Sequence, residues 1–186
     1  MQVAFRRLNA NDQAFLWEAL YHAIHVPSGN DPLPKEIVND PLLSMYAANW
    51  AKRSGDFGLI AESDGIHIGA AWIRCWDRTA QGFGYIDIFT PELSMSVLPQ
   101  FRGRGVGTRL LRRLIADCRG RHQQLSLSVS RSNPALRLYD REGFRVVSDE
   151  DPGSLTMVLD LAGLESGEPR MSQSPSHPLV RPRLSH

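Results

Sequence analysis

The residues best suited to chemistry form one short run, Arg102-Gly-Arg-Gly-Val-Gly-Thr108. Apolar residues at helical spacing follow it, so a helix is predicted to begin within the run. A helix start built from glycines leaves its first backbone N–H groups uncovered, and these groups bind anions together with the positive helix end. The run therefore predicts an anion site to which Arg102 and Arg104 add charge, with a phosphate as the expected ligand.

The residues present exclude two familiar phosphate-binding motifs. A P-loop requires a lysine followed by serine or threonine, and the run contains no lysine. A dinucleotide-binding fingerprint requires a third glycine where Thr108 stands. The pattern that remains is Arg102-x-x-Gly105-x-Gly107, which by itself also fits a plain glycine turn between a strand and a helix.

A second motif, Asn133-Pro-Ala-Leu-Arg-Leu-Tyr-Asp-Arg-Glu-Gly-Phe144, follows after one predicted strand. The two motifs resemble the pyrophosphate loop R/Q-x-x-G-x-G/A and the signature N-x-A-x-x-x-Y-x-x-x-G-F of the GNAT superfamily, the acyl-CoA-dependent N-acyltransferases. The order of predicted elements between residues 3 and 160 also resembles that superfamily. The resemblance implies an N-acetyltransferase that uses acetyl-CoA as cosubstrate and needs no metal.

The resemblance also implies a role for each matching position. The strand that contains Val97 would diverge from the strand at 125–129 and admit the pantetheine arm, and the Val97 N–H would bind the thioester oxygen. Asn133 would contact pantetheine, and Tyr139 would protonate the departing thiolate. Asn133 equally suits a helix cap, and Tyr139 equally suits a core position. The pyrophosphate would be held by the backbone N–H groups of Arg102, Gly103, Arg104, Gly105, Val106, Gly107 and Thr108.

The group that takes the proton from the attacking amine is left open by the sequence. Glu92 begins the strand and resembles the position where many relatives carry a catalytic glutamate. Asp87 lies just upstream, and a relay through water is a third possibility. Either carboxylate also fits a solvent-exposed strand end. His25 and His67 are further candidates, but lone histidines in such positions favour structural or exposed roles.

The acceptor is expected to be a primary amine of a small molecule or peptide that attacks directly in a ternary complex. Its specificity should depend on three variable segments, residues 26–34, 45–50 and 72–89. The last two contain Trp50, Trp72, Trp76, Phe83 and Tyr85, which either line an acceptor pocket or are core residues under long loops. The alternative function is an acyl-CoA-binding regulatory module that has lost its chemistry. Such a module would bind the coenzyme without releasing free thiol.

Hydrophobic periodicity predicts the elements that position these residues. Strands are expected at 3–8, 58–63, 66–74, 93–97, 125–130, 144–147 and 154–159. Helices are expected from Asn9 or Asn11 to Ile24, from Pro34 to Ala51 with an interruption at Pro41, from Val106 to Cys118, and from Pro134 to Gly143. Residues 85–89 fit either a short strand or part of a loop. The turn at Asp64-Gly65 is typical of a hairpin with a primed turn.

These elements define the fold class and the domain organisation. A strand, a helix and a strand in succession predict a parallel pair joined by a βαβ crossover. With the resemblance, the expected fold is α/β, with a mixed, mostly antiparallel central sheet and helices on both faces. Residues 1–161 are predicted to form one domain. Residues 162–186, rich in serine, proline, glycine and arginine without periodicity, are predicted to be a disordered tail.

Composition restricts the partners of the protein. A net charge of +1 in 186 residues gives no general attraction for nucleic acid or an anionic membrane, so neither partner is expected. Cys75 and Cys118 form no paired motif, which favours free thiols and argues against a metal site. No stretch has the pattern of a signal peptide or of a transmembrane helix, and a cytoplasmic location is expected. A homodimer is compatible with the sequence.

Overall fold

The computed structural model describes residues 1–50 and 52–162. Within them seven strands form one sheet in the order β1-β2-β3-β4-β5-β7-β6. Neighbouring strands are antiparallel except for β4 and β5, which are parallel. The predicted fold class is therefore confirmed. The strands are β1 (Ala4–Arg7), β2 (Phe57–Ser63), β3 (Ile66–Arg74), β4 (Glu92–Val97), β5 (Gln124–Ser130), β6 (Arg145–Ser148) and β7 (Ser154–Asp160).

Helices cover both faces of the sheet, and each face buries its own apolar cluster. Helix α3 (Val106–Cys118) packs on one face, and α1 (Gln13–Ala23) packs on the other. Two shorter helices are α2 (Pro41–Ser44) and α4 (Leu136–Arg141). The apolar residues of α3 that the sequence places at helical spacing are all buried: Val106, Leu110, Leu111, Leu114, Ile115 and Cys118.

Local hydrogen bonds fix the start of the helical region that leads into α1, and its cap is Asn9, one of the two caps predicted from the sequence. Asn9 caps a short 3-10 turn, accepting the N–H of Asn11 at 2.9 Å, while Asp12 accepts the N–H of Asn9 at 2.8 Å. Asp12 also receives two hydrogen bonds of 2.7 Å from the guanidinium of Arg6 in β1. The capping box therefore ties the first turn of this helical region to the edge of the sheet.

The segment from Pro34 to Ala51 differs from the prediction of an interrupted helix. A 3-10 turn spans Lys35–Asn39, α2 ends at Ser44, and turns occupy residues 45–50. Pro41 lacks an N–H, so a helix can only restart there, and Asp40 caps the restart by accepting the Leu42 N–H at 2.8 Å. The break at Pro41 is confirmed, and the helix beyond Ser44 is wrong.

The connections agree with the remaining predictions. Asp64 has φ 51° and Gly65 has φ 76°, so the β2–β3 hairpin has the predicted primed turn. Residues 85–89 belong to a loop, which resolves the alternative left open by the sequence. None of the helices in the described part has the length and apolar character needed to span a bilayer. Apart from Ala162, the predicted tail lies outside the described residues.

Candidate active site

The sheet opens between β4 and β5. The two strands are paired at one position, Glu92 opposite Ser126, where the Ser126 N–H donates to the Pro91 carbonyl at 2.9 Å. No further pair joins them within residues 1–50 and 52–162. Each strand keeps its other neighbour: β4 pairs with β3 from Glu92 to Val97, and β5 pairs with β7 from Gln124 to Ser130. The divergence predicted for these strands is therefore present in the fold.

The backbone of Val97 faces this opening. Leu98 donates its N–H to Ile68 in the neighbouring strand at 2.9 Å, and bonded and non-bonded pairs alternate along an antiparallel ladder. Val97, opposite Gly69, therefore directs its N–H and C=O away from β3. Its N–H lies on the side of β4 where an oxyanion donor would have to be.

The glycine run ends in an uncapped helix start. Gly103 and Gly105 have φ of 72° and 74°, a region that other residues rarely adopt, and α3 has no side-chain cap. The first bond of the helix is from Arg109 N–H to the Gly105 carbonyl, at 3.1 Å. The N–H groups of Val106, Gly107 and Thr108 find no acceptor among the described residues, so they are available to an anion.

This helix start lies directly against the opened strand. A Cβ placed on Gly107 would come within 3.5 Å of the Met95 side chain and 3.6 Å of the Val97 side chain. Val106 is buried in the same cluster as Val97. An anion held by the N–H groups of α3 would therefore be adjacent to the mouth of the β4–β5 opening.

The two arginines of the run have different surroundings. Arg102 donates from Nε to the Val97 carbonyl at 2.8 Å and from a terminal nitrogen to the His22 carbonyl at 3.2 Å. Arg104 is exposed, and its guanidinium lies 5.8 Å from the ring centroid of Phe101. The Arg102 side chain thus joins the ends of β4 and α1.

The second motif lies on the other side of the opening, after β5. Asn133 accepts the Ala135 N–H at 2.9 Å and so stabilises the turn that leads into α4. Tyr139 belongs to the same apolar cluster as Val97 of β4 and Val129 of β5. Its ring packs edge-on against Phe144 at 5.7 Å, and its hydroxyl has no hydrogen-bond partner in the described part of the chain. Burial raises the pKa of Tyr139, which keeps the phenol protonated.

Glu92 lies at the closed end of the opening and is only 2% exposed. Its carboxylate accepts hydrogen bonds from the Tyr46 hydroxyl at 2.7 Å, the Trp76 indole N–H at 2.6 Å and the Gly84 backbone N–H at 2.8 Å. Burial raises the pKa of Glu92, and the three donors oppose that effect. The alternative of a solvent-exposed carboxylate is therefore wrong for Glu92.

The other titratable candidates are engaged elsewhere. Asp87 is exposed and accepts the N–H groups of Phe89 and Thr90, both at 2.8 Å. His67 lies 3.0 Å from the Arg6 guanidinium and 3.1 Å from Glu62, within the network that ties β1 to α1. His25 lies 3.1 Å from the Ser132 hydroxyl, beyond the end of β5. Of the two carboxylates proposed from sequence, only Glu92 is buried.

Two of the segments predicted to select the acceptor meet in space. A groove of about 490 Å³ lies between α2 and the loop before β4. Two of its lining residues, Met45 and Gln81, are the sequence neighbours of Tyr46 and Gly82. The groove is lined by Pro41, Leu42, Met45, Arg78, Thr79, Ala80 and Gln81.

Sequence reasoning missed the partners of Glu92. Tyr46 was included only as part of the segment 45–50, and Trp76 only as one of several aromatics. Gly82 and Gly84 were the available signal, because two glycines around an aromatic residue can indicate a close approach of the backbone. A Cβ on Gly84 would lie 2.6 Å from Leu127 C and 2.7 Å from Ser128 N, so the loop rests on the backbone of β5.

The sheet opens beside an uncapped helix start, and this is the arrangement expected from the two motifs, which resemble those of the GNAT acyltransferases. The chain belongs to the GNAT family: the model described as "Acetyltransferase (GNAT) domain" matches residues 54–146, which is half of the chain. The matched region extends from the loop before β2 into β6 and includes both motifs.

Two curated relatives match part of the chain. The L-methionine sulfoximine/L-methionine sulfone acetyltransferase of Salmonella typhimurium is 35% identical over 92 residues, which is 48% of this chain and 51% of that protein. The L-amino acid N-acyltransferase MnaT of Escherichia coli is 34% identical over 92 residues, with the same coverage. The chain thus matches about half the length of each of these relatives.

A solved structure supports the fold over a longer span. The structure of yncA, described as a putative acetyltransferase from Salmonella typhimurium with its cofactor acetyl-CoA, superposes with a TM-score of 0.60 at 24% identity. The superposition covers 92% of this chain and 100% of that one. At this identity the similarity establishes the fold alone.

Proposed function

We propose that the protein transfers an acetyl group from acetyl-CoA to a primary amine of a small molecule or peptide. The observation that carries the proposal is the divergence of β4 from β5 directly beside the uncapped start of α3. The uncovered N–H groups of α3 lie next to the open edge of β4. This arrangement suits a ligand with a pyrophosphate at one end and a thioester at the other. Membership of the GNAT family supports the same cosubstrate.

The backbone groups would bind and orient the cosubstrate. The N–H groups of Val106, Gly107 and Thr108 would hold the pyrophosphate, together with those of Gly103, Arg104 and Gly105. The Arg102 N–H, which the sequence also predicted as a ligand, instead donates to the Pro99 carbonyl at 3.2 Å. The Val97 N–H would donate to the thioester oxygen, where negative charge develops during attack. Asn133 would contact the pantetheine arm, in addition to capping its own turn.

The chemistry needs one bond formed, one bond broken and two proton movements. The amine nitrogen attacks the carbonyl carbon, so a carbon–nitrogen bond forms and the carbon–sulfur bond breaks. Tyr139 would supply a proton to the sulfur, and burial suits it because the phenol remains protonated. Glu92 would accept the proton lost by the amine, directly or through a water molecule. The products are the amide and the free thiol.

The acceptor that we favour within this class is an amino acid. Both curated relatives are named for amino-acid compounds, and each aligns with this chain over about half of its own length. The groove between α2 and the loop before β4 supports this choice, because Leu42 and Met45 offer apolar surface and Arg78 offers a positive charge. A side chain and a carboxylate on one small ligand would match these two features.

The test is an acceptor screen with the purified protein and acetyl-CoA, read out by release of free thiol and by mass spectrometry of the product. The panel contains L-amino acids, methionine sulfone, polyamines and short peptides. A control reaction without acceptor corrects for the thiol signal of Cys75 and Cys118. Amine-dependent thiol release with amide formation supports the proposal. Coenzyme binding without release over the whole panel supports the regulatory module, and no binding in calorimetry overturns both functions.

A further inference from the structure

The Glu92 carboxylate is held by three donors that come from three separate stretches of chain. Tyr46 belongs to the turn after α2, Trp76 follows β3, and Gly84 lies in the loop before β4. Tyr46 and Gly84 donate to Oε1, and Trp76 donates to Oε2. These hydrogen bonds fix the orientation of the carboxylate. Because Glu92 is almost fully buried, water does not compete with its three donors.

Trp76 is itself held in place from behind. The guanidinium groups of Arg53 and Arg74 lie 5.4 Å and 5.9 Å from its ring. Arg74 is buried, pairs with Asp56 at 2.9 Å and donates to the Ala48 carbonyl at 2.9 Å. Cations over an indole face are attracted to the ring. The Trp76 N–H is thus a fixed and well-supported donor.

The same contacts fasten a loop across the closed end of the opening. The Tyr46 hydroxyl accepts the Phe83 N–H at 2.6 Å while it donates to Glu92. Gly84 is bonded to Glu92 and rests on the backbone of β5 at Leu127. The position of residues 82–84 therefore depends on the same side chains that orient the carboxylate.

We propose that Tyr46 and Trp76 are positioning residues that hold the Glu92 carboxylate, and with it residues 82–84, at the closed end of the β4–β5 opening where the acceptor amine loses its proton. This inference rests on the proposed function, because it assigns the proton acceptor of that reaction. Neither side chain needs to contact the cosubstrate. Both act through Glu92.

The direction of the pH effect follows from the groups around Glu92. Burial favours the protonated acid, whereas the donors from Tyr46, Trp76 and Gly84 favour the ionised form. Behind Trp76 stand the charges of Arg53, Arg74 and Asp56, and β5 contributes the uncharged Ser126 opposite Glu92. Loss of one donor therefore raises the pKa of Glu92 and moves the rising limb of the activity profile to higher pH.

The experiment compares Trp76→Phe and Tyr46→Phe with two matched controls in the full chain. Trp17→Phe changes another tryptophan packed against the same apolar cluster, and Tyr21→Phe removes a hydroxyl that donates to the Leu33 carbonyl at 2.7 Å. Thermal unfolding shows which variants fold. Tyr46→Phe keeps the aromatic ring and removes only the hydroxyl, so it tests the inference by itself if Trp76→Phe does not fold.

The first measurement does not depend on turnover. The Glu92 carboxyl carbon is followed by carbon-13 NMR in glutamate-labelled protein and is assigned by its absence in Glu92→Gln. We expect its pKa to rise in Trp76→Phe and in Tyr46→Phe, because each variant lacks one hydrogen bond that favours the ionised carboxylate. The controls should leave it unchanged. A Glu92 titration that is the same in all folded variants overturns the inference.

The second measurement is the pH dependence of kcat/KM for the acceptor. We expect the rising limb to move with the NMR value, with KM for acetyl-CoA unchanged. If the NMR value moves and the limb does not, the role of the two residues in the reaction is overturned, although the contacts exist. If the wild-type protein transfers no acetyl group, the proposed function fails, and the NMR arm still decides whether the two side chains control Glu92.

Discussion

Glu92 lies opposite Ser126 in the parallel pair between β4 and β5, and no other residue pair joins these strands in the part of the chain that the structure describes. The Ser126 hydroxyl is buried and has no hydrogen-bond partner among the same residues. The sheet therefore begins to open immediately after Glu92. A ligand that entered the opening from the side of α3 would meet the carboxylate and residues 82–84 at its closed end.

Removing the Tyr139 hydroxyl should impair turnover more than coenzyme affinity. Its hydroxyl contacts no hydrogen-bonding group in the described residues, so Tyr139→Phe should fold with nearly unchanged stability. We expect kcat to fall by roughly 100-fold, the lower end of the range for loss of a general acid. Steady-state kinetics and calorimetry with acetyl-CoA measure the two effects. An unchanged kcat in a well-folded variant would remove the proton-donor role.

Alanine at Gly105 should weaken acetyl-CoA binding beyond its effect on stability. Gly105 and Gly120 both have φ of 74°, and a Cβ on either meets nothing within 4 Å. Gly105→Ala and Gly120→Ala should therefore each lose about 1 kcal/mol of unfolding free energy from backbone strain.

Only Gly105 precedes the uncovered N–H groups of α3, whereas Gly120 follows the helix. We expect a higher Kd for acetyl-CoA in Gly105→Ala and the wild-type Kd in Gly120→Ala. Urea unfolding and calorimetry provide both values. Equal Kd values in the two variants would contradict an anion site at the helix start.

A methyl group at Gly84 should displace the loop from β5. Its Cβ would lie 2.6 Å from Leu127 C and 2.7 Å from Ser128 N, and a backbone contact of that kind cannot be relieved by rotating a side chain. We expect Gly84→Ala to lose about 2 kcal/mol of unfolding free energy. Gly153→Ala, whose Cβ would have its nearest neighbour at 3.5 Å, is the control. Equal stability of the two variants in urea would exclude this packing.

The ion pair between Arg6 and Asp12 should make stability depend on acid pH. The Arg6 hydrogen bonds lower the pKa of Asp12, so the pair stabilises the fold above the ordinary aspartate pKa and is lost as pH falls through the lowered value. Asp12→Asn should lower the free energy of unfolding at pH 7 by about 2 kcal/mol.

Urea unfolding between pH 7 and pH 3 checks the sign of this effect. The difference between wild type and Asp12→Asn should shrink as the pH drops below about 4. Asp31→Asn, a substitution at an exposed position after α1, should give the wild-type profile. A difference that stays constant with pH would show that the charge of Asp12 is not its source.

Sequence alone could predict the features that depend on short stretches of chain. The Asp64-Gly65 turn and the start of α3 followed from backbone conformations that few residues adopt. The buried face of α3 followed from its helical period. The order of predicted elements and the two motifs were enough to predict the class of fold through their resemblance to the GNAT superfamily, and the strand–helix–strand succession predicted the parallel pair.

The surroundings of Glu92 were decided only by the tertiary structure. Tyr46 and Trp76 lie 46 and 16 positions away along the chain, in segments without a period, and no local rule relates them to the start of β4. Tertiary packing likewise decides the burial of Glu92 and the hydrogen bond from the Arg102 side chain to the Val97 carbonyl. Sequence periodicity specifies which face of an element is buried, whereas the contacts of a loop depend on everything that packs against it.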